Sequence, residues 1–301
     1  MRVRLPLTAP YAVGPALASL AAHAAPGAEV VDVDASTVTR AVPAPSGPAV
    51  VTARLAADRA EADLDLAHPA DEEEVMALVR RWLDLDADPA EVTKHLAADH
   101  RLAPLVGARP GLRVLGHVDG FEAAVTTVLG QQVSLAAART FAGRLVAAFG
   151  TPVRDSLAAF PSPEVLAAAG PEHVRREVGV TGARARTVHA LATVCAEGFA
   201  IAPGGDDSEV RRRLLALPGI GPWTADYLAL RVLGDRDALP AGDLVLRRAL
   251  GMTAREVTVA AEAWRPVRAY AVTHLWTAAA YLQAPAREGA GALRQAATES
   301  P

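Results

Sequence analysis

A lone carboxylate, Asp243, stands just before the apolar run Leu244–Leu250, with Gly251 beyond it. An aspartate placed so reads first as a helix N-cap, accepting hydrogen bonds from the opening N–H groups. The same bonds favour its ionised form, and an ionised carboxylate is what a cationic, sugar-like transition state needs. Upstream, Leu217-Pro218-Gly219-Ile220-Gly221 breaks one helical pattern and Pro222 starts another. Such a hairpin leaves backbone donors unpaired at a helix N-terminus, so the amides of Gly219, Ile220 and Gly221 suit an anion such as phosphate. The carbonyls of Leu215, Leu217 and Ile220 form a set for a monovalent cation. Trp223 and Tyr227, four apart, share one helix face; Trp276 lies on a later helix. Packing alone would account for any one of the three. Beside an acid and an anion-binding hairpin, in a chain with 4% aromatic residues, they read together as a stacking pocket. A stacked nucleobase gains roughly 1–3 kcal/mol, and a cationic one gains a further ~0.5–2 kcal/mol from the rings.

The elements that must position these residues fall into two styles. Arg2–Leu7 alternates like a strand and Gly14–Ala24 has helical spacing. Val30–Val33, Ser36–Val42, Ala49–Leu55 and Ala60–Leu66 are short, β-branched or alternating, with turn residues between them. They predict a small antiparallel sheet with one early helix. Asp71–Leu85 is an acid-fronted helix, and Asp88-Pro89-Ala90-Glu91 opens another with an N-cap, an N1 proline and an N3 glutamate. Arg109-Pro110-Gly111 marks a junction, giving an N-terminal α+β domain over 1–110 and a helical region over 111–284, with a tail over 285–301. From Phe121 onward the pattern is almost all helical: Phe121–Leu129, Leu135–Phe149, Pro163–Ala169, Glu172–Val178, Ala183–Glu197, Ser208–Leu217, Trp223–Val232, Leu244–Leu250 and Pro266–Leu282. A capping box at Thr253 and Glu256 opens one more.

Composition excludes several classes. One cysteine, Cys195, rules out an internal disulfide framework and any site needing several thiolates. No run approaches the roughly 20 apolar residues of a membrane span, and Pro6, Pro10 and Pro15 interrupt a would-be leader. The expected location is cytoplasmic, at the nucleoid. Asp84, Asp86 and Asp88 alternate like the start of a calcium loop, but Pro89 and His95 occupy the glycine and glutamate positions. No phosphate loop, dinucleotide fingerprint or nucleophile elbow occurs. The net charge is −4. Residues 1–110 carry ten Lys and Arg against sixteen Asp and Glu, and the remainder twenty against eighteen. Any nucleic-acid contact therefore belongs to the back part and is local.

In the segments Arg109–Arg113, Phe121-Glu122, Leu129-Gly130-Gln131, LPGIGPWTADYLALR, Leu239-Pro240 with Asp243, and Arg265-Pro266 with His274-Leu275-Trp276, the chain resembles the helix-hairpin-helix base-excision DNA glycosylases of the 3-methyladenine glycosylase II type. The resemblance implies a mainly α fold: an antiparallel N-terminal domain like half of a TATA-binding protein, then two helical subdomains with a cleft between them. It implies a monomer that acts on double-stranded DNA containing alkylated bases, without a cofactor, and starts base excision repair. Asp243 would be the catalytic carboxylate, Trp223, Tyr227 and Trp276 the base pocket, and Gln132 the wedge left in the duplex after base flipping. Relatives that also cut the strand use a lysine where this chain has Trp223; the single lysine here is Lys94. A monofunctional enzyme follows. The chain departs from the family in a polar wedge at Gln132, in Gly242 at an often acidic position, and in Thr277 where an aromatic occurs. Those departures keep open a non-catalytic DNA-damage-binding module, and a glycosylase for deaminated or oxidised purines.

Overall fold

A computed structural model describes residues 1–154 and 156–281. Five strands form an antiparallel sheet: β1 (Arg2–Leu5), β2 (Glu29–Asp32), β3 (Thr37–Val42), β4 (Ala49–Leu55) and β5 (Ala60–Asp65), in the spatial order β1-β5-β4-β3-β2. The turn-separated alternation read from the sequence is what builds it. Alternate residues such as Val51, Ala53 and Leu55 go inward, while Thr39 and Thr52, opposite each other, share a 3.0 Å hydroxyl bond. Helices α1 (Val13–His23) and α2 (Glu72–Trp82) complete that core with Leu17, Leu20, Val75, Val79 and Trp82. Glu72, Glu73 and Glu74 in the first turn of α2 and Arg80 and Arg81 in its last turn match the helix dipole.

Helices α3 (Pro89–Leu96), capped by Asp88 as expected, and α4 (Ala103–Ala108), absent from the sequence reading, come next. Their Val92, Leu96 and Val106 pack with Leu246, Val257, Trp264 and Trp276 near the other end of the chain. Residues 87–106 thus pack with the C-terminal core, while Leu115 and Val118 return to the core under the sheet. The Arg109–Arg113 stretch is tied to the front of the chain. Arg113, 2% exposed, donates to the carbonyls of Thr8, Pro10, Asp84 and Ala87. Gly111 has φ 85°, and a Cβ there would lie 2.2 Å from the Pro10 oxygen. The three aspartates of the apparent calcium loop do separate work: Asp84 accepts from Val114 N and Tyr270 Oη, Asp86 pairs with Arg80, and Asp88 caps α3.

The rest is helical with one exception. α5 (Gly120–Gly130), α6 (Leu135–Phe149), α7 (Pro163–Val178, broken at Gly170), α8 (Gly182–Ala196), α9 (Asp207–Leu215) and α10 (Pro222–Leu228) make one bundle, with a core from Phe121 and Val128 to Leu214 and Ile220. α11 (Leu244–Leu250), α12 (Ala254–Ala260) and α13 (Arg268–Trp276) make the other, and the capping box at Thr253 and Glu256 forms. The exception is a hairpin of β6 (Thr151–Arg154) and β7 (Leu157–Ala159), in a stretch between two expected helices for which the sequence suggests no element. Strands of three and four residues, with a bulge in their register, are too short to show a period of two. This hairpin packs beside β3 and β4, and Arg154 meets Asp65 at 2.8 Å.

A second tie between sheet and bundle is buried. Arg40 on β3 reaches Glu29 at 3.0 Å and Glu122 on α5 at 2.7 Å. One cation serves two carboxylates out of water, and burial pushes Glu122 up to about 7.

Candidate active site

Asp243 caps α11 as the sequence requires: its Oδ1 accepts the Leu246 N–H at 2.8 Å. Two further donors come from side chains. Trp276 Nε1 reaches the same oxygen at 2.9 Å, and Trp223 Nε1 reaches Oδ2 at 2.9 Å. The carboxylate is 9% exposed and has no cationic partner among the described residues. Three N–H donors hold its charge instead, and a carboxylate has about four acceptor positions. One remains, on Oδ2.

The cavity beside it measures about 290 Å³ and is lined by Asp243, Trp223, Tyr227 and Trp276 together. Trp223 and Tyr227 stack with centroids 5.5 Å apart at 26°, and Tyr227 and Trp276 lie 5.8 Å apart at 45°. Both helices that carry these rings run directly into wide turns, α10 into a π-helix over Ala229–Leu233 and α13 into another over Thr277–Tyr281. Such turns shift the faces of a helix and recur at functional sites. Thr277, the next residue after Trp276, is buried.

The hairpin between α9 and α10 lies against α8. Gly219 has φ 81°, and a Cβ there would fall 2.2 Å from Thr187 Oγ1, so only glycine fits. The Ile220 N–H is engaged by the Leu217 carbonyl at 3.3 Å. Among the described residues the amides of Gly219 and Gly221 have no acceptor, so two of the three expected donors stand open. The Leu215 and Ile220 carbonyls accept no bond across the hairpin, and Leu217 accepts only a long one. A donor set of neutral carbonyls fits a weakly charged, hard cation.

Gln132 sits at the exposed tip between α5 and α6 with φ 56°. A left-handed backbone at a residue other than glycine costs roughly 1–2 kcal/mol, and such strain gathers at functional sites. Its neighbour Gln131 ties that tip to the hairpin, donating to Gly219 O at 3.1 Å and Thr224 Oγ1 at 3.2 Å. Arg184 donates to the Gln131 carbonyl.

Several lining residues escape sequence reasoning: His23 from α1, His117, Leu135, Arg231 and Tyr281. The helical spacing over Gly14–Ala24 covers His23, and nothing in its neighbourhood announces a pocket. Burial, with Arg231 nearby, pushes His23 down to about 4 and His117 well below its ordinary value, so both imidazoles are neutral. Arg231 had a signal. It follows Trp223 and Tyr227 at the same four-residue step.

Comparison with known proteins agrees with this geometry. Residues 2–119 match the AlkA N-terminal domain family, and residues 125–261 match the HhH-GPD superfamily of base excision DNA repair proteins. A Mycobacterium tuberculosis protein named "Probable bifunctional transcriptional activator/DNA repair enzyme AlkA" is 45% identical over 285 residues, covering 91% of this chain and 56% of that protein. The chain thus spans little more than half the length of that relative. Escherichia coli "DNA-3-methyladenine glycosylase 2" is 37% identical over 67% of this chain and 71% of its own length. Among solved structures, a 3-methyladenine DNA glycosylase from Archaeoglobus fulgidus shares the fold, with TM-score 0.82 at 22% identity over 92% of this chain and 98% of its own. The chain belongs to the helix-hairpin-helix base-excision DNA glycosylase superfamily and, within it, to the AlkA type.

Proposed function

We propose that this chain is a monofunctional DNA glycosylase that flips alkylated purines, of the 3-methyladenine and 7-methylguanine kind, out of double-stranded DNA and hydrolyses their N-glycosidic bond. The observation that carries this is the Asp243 carboxylate, held by two indole N–H groups at the wall of an aromatic cavity. A purine alkylated on a ring nitrogen is cationic while attached and leaves as a neutral base, so no general acid is needed. Positive charge then passes to the sugar, where an ionised carboxylate in a water-poor site stabilises it. The remaining acceptor position of Asp243, on Oδ2, orients the attacking water. Trp223, Tyr227 and Trp276 enclose the flipped base, whose extrusion costs a few kcal/mol. The open amides of Gly219 and Gly221 take a flanking phosphate. The carbonyls of Leu215, Leu217 and Ile220 would hold a monovalent cation, which would add positive charge beneath that phosphate. Gln132 enters the gap left in the stack. The enzyme works as a monomer at the nucleoid.

Absence of strand cleavage rests on the lining itself. Trp223 points its N–H at Asp243, and the only lysine, Lys94, is on the exposed side of α3. The test is single-turnover release of free base from duplex DNA carrying one 7-methylguanine, with borohydride trapping in parallel. Release without a trapped adduct or nicked strand is expected from the wild type. Asp243→Asn is expected to lower release by about 10²- to 10³-fold or more while DNA affinity stays within about threefold. Full activity in that variant would end the proposal. DNA binding without any base release would favour a damage-binding module.

A further inference from the structure

A second and larger cavity, about 600 Å³, opens where the sheet meets both helical bundles. The β3–β4 turn at Ala44, the stretch Gly116–Gly120, the loop at Ala202 and Tyr270 of α13 line it. None of these residues enters the chemistry above.

Two packed helices run from this cavity to the one that holds Asp243. α5 begins at the second cavity with Gly120 and lines the base cavity from Ala123 to Gly130. α10 runs the other way. Its Trp223 and Tyr227 line the base cavity, and the π turn that continues it lines the second cavity from Leu230 onward. On each helix the two linings are three residues apart, which is about 4.5 Å of helix. One layer of side chains therefore divides the cavities, and His117 and Arg231 line both. Neither is firmly tied. Nδ1 of His117 and Nε of Arg231 are sealed from solvent without a partner. His117 sits in a stretch outside helices and strands. Among the described residues the Arg231 guanidinium has no hydrogen bond and no ion pair, so turning it aside breaks none.

We propose that the second cavity receives the free purine once its bond to the sugar is cut, through the His117–Arg231 partition, and lets it leave while abasic DNA still covers the base cavity. This rests on the glycosylase reading. The base arrives attached to its sugar, and that sugar with its phosphates fills the opening through which the base came. After cleavage the base is shut in by aromatic rings on one side and by DNA on the other. The second cavity has about twice the volume of the first, so it accommodates what the first encloses. An alkylated purine is neutral once cut, so it passes a buried guanidinium without the cost that a charged base would meet. Beyond the partition, Arg81, Asp235 and Arg236 are exposed and offer a polar ring donors and acceptors next to solvent. Loss of the base by this route makes cleavage irreversible while the protein remains on the abasic site.

The test uses the full chain in excess over a duplex with one 7-methylguanine labelled in its methyl group. Acid quenching reads bond cleavage. Rapid gel filtration without quenching reads free base separating from the complex, and competition with unlabelled duplex reads dissociation of abasic DNA. From the wild type, free base is expected to separate while abasic DNA is still bound. Ala202→Trp, at an exposed position, and Ala44→Trp, on the sheet side, narrow the second cavity away from Asp243. Cleavage is expected to be unchanged in both. Separation of the base is expected to slow, most in the double variant, toward the rate at which abasic DNA dissociates. Wild-type complexes that keep the base until DNA departs would overturn the inference and leave the glycosylase reading standing. So would a double variant that cleaves and sheds base as fast as the wild type. Absence of cleavage by the wild type removes the glycosylase reading and this inference with it.

Discussion

The indole Nε1 of Trp276 meets Oδ1 of Asp243 at 2.9 Å, so a wall of the pocket is bonded to the carboxylate it surrounds. Stacking and charge placement are thus combined in one side chain, and they can be separated. Trp276→Phe keeps a ring and removes the N–H. Losing a hydrogen bond to a charged acceptor costs about 1.5–3 kcal/mol, so base release is expected to fall by roughly ten- to a hundredfold. Affinity for DNA with a flipped base analogue, measured by fluorescence, should change little. Equal losses in both would assign Trp276 to stacking alone.

Gly219 offers a two-step test of the hairpin. Gly219→Ala places a methyl 2.2 Å from Thr187 Oγ1 at φ 81°. It should abolish tight DNA binding and destabilise the fold. Adding Thr187→Ala relieves the collision but not the backbone conformation. The double variant is expected to retain a deficit of about 1 kcal/mol and regain most of the DNA affinity. Strictly additive losses in denaturant titration would mean that the two residues do not touch.

Gln132 sets stability against activity. Gln132→Gly removes the left-handed strain at φ 56° and is expected to raise unfolding free energy by about 1 kcal/mol. The same change removes the side chain proposed to fill the duplex, so base release should fall. A variant that is both more stable and as active would show that Gln132 is no wedge.

Acid sensitivity follows from buried histidines. His274 is 2% exposed, and burial, helped by Arg109, pushes it down to about 4. Between its unfolded value of 6.5 and about 4 the unfolded chain binds the extra proton, so stability drops as pH falls through that window. His274→Gln should flatten the dependence of unfolding free energy on pH there by up to about 1.4 kcal/mol per pH unit. An unchanged slope would place the acid sensitivity elsewhere. Glu122 works in the opposite direction, since a carboxyl raised to about 7 loses stability as pH rises toward that value.

Much of this was legible in the sequence because the signals were local. Asp243, Asp88 and Thr253 announced caps, and each caps a helix. The turn-bounded strands gave the sheet, with β4 at the expected bounds. Trp223 and Tyr227 share a face because four residues make about one turn. What stayed hidden is set by contacts far apart in sequence. His23 and Tyr281, at opposite ends of the described chain, meet edge to face at 5.4 Å, and no periodicity foretells that. The π turns also escaped, since a single wide turn leaves the apolar pattern almost unchanged. So did the packing of α3 and α4 with the C-terminal bundle, because a short helix does not declare which core it joins.

The contact between Gly219 and Thr187 has a bearing on how natural variation in this chain is to be interpreted. Thr187 lies on α8, buried against the hairpin, with its hydroxyl bonded to the Ala183 carbonyl at 3.2 Å. A bulkier residue there would push Gly219 forward and carry its open amide with it. If that amide holds the phosphate proposed above, Thr187 would score as a nucleic-acid contact in any survey of variants, although its side chain is buried.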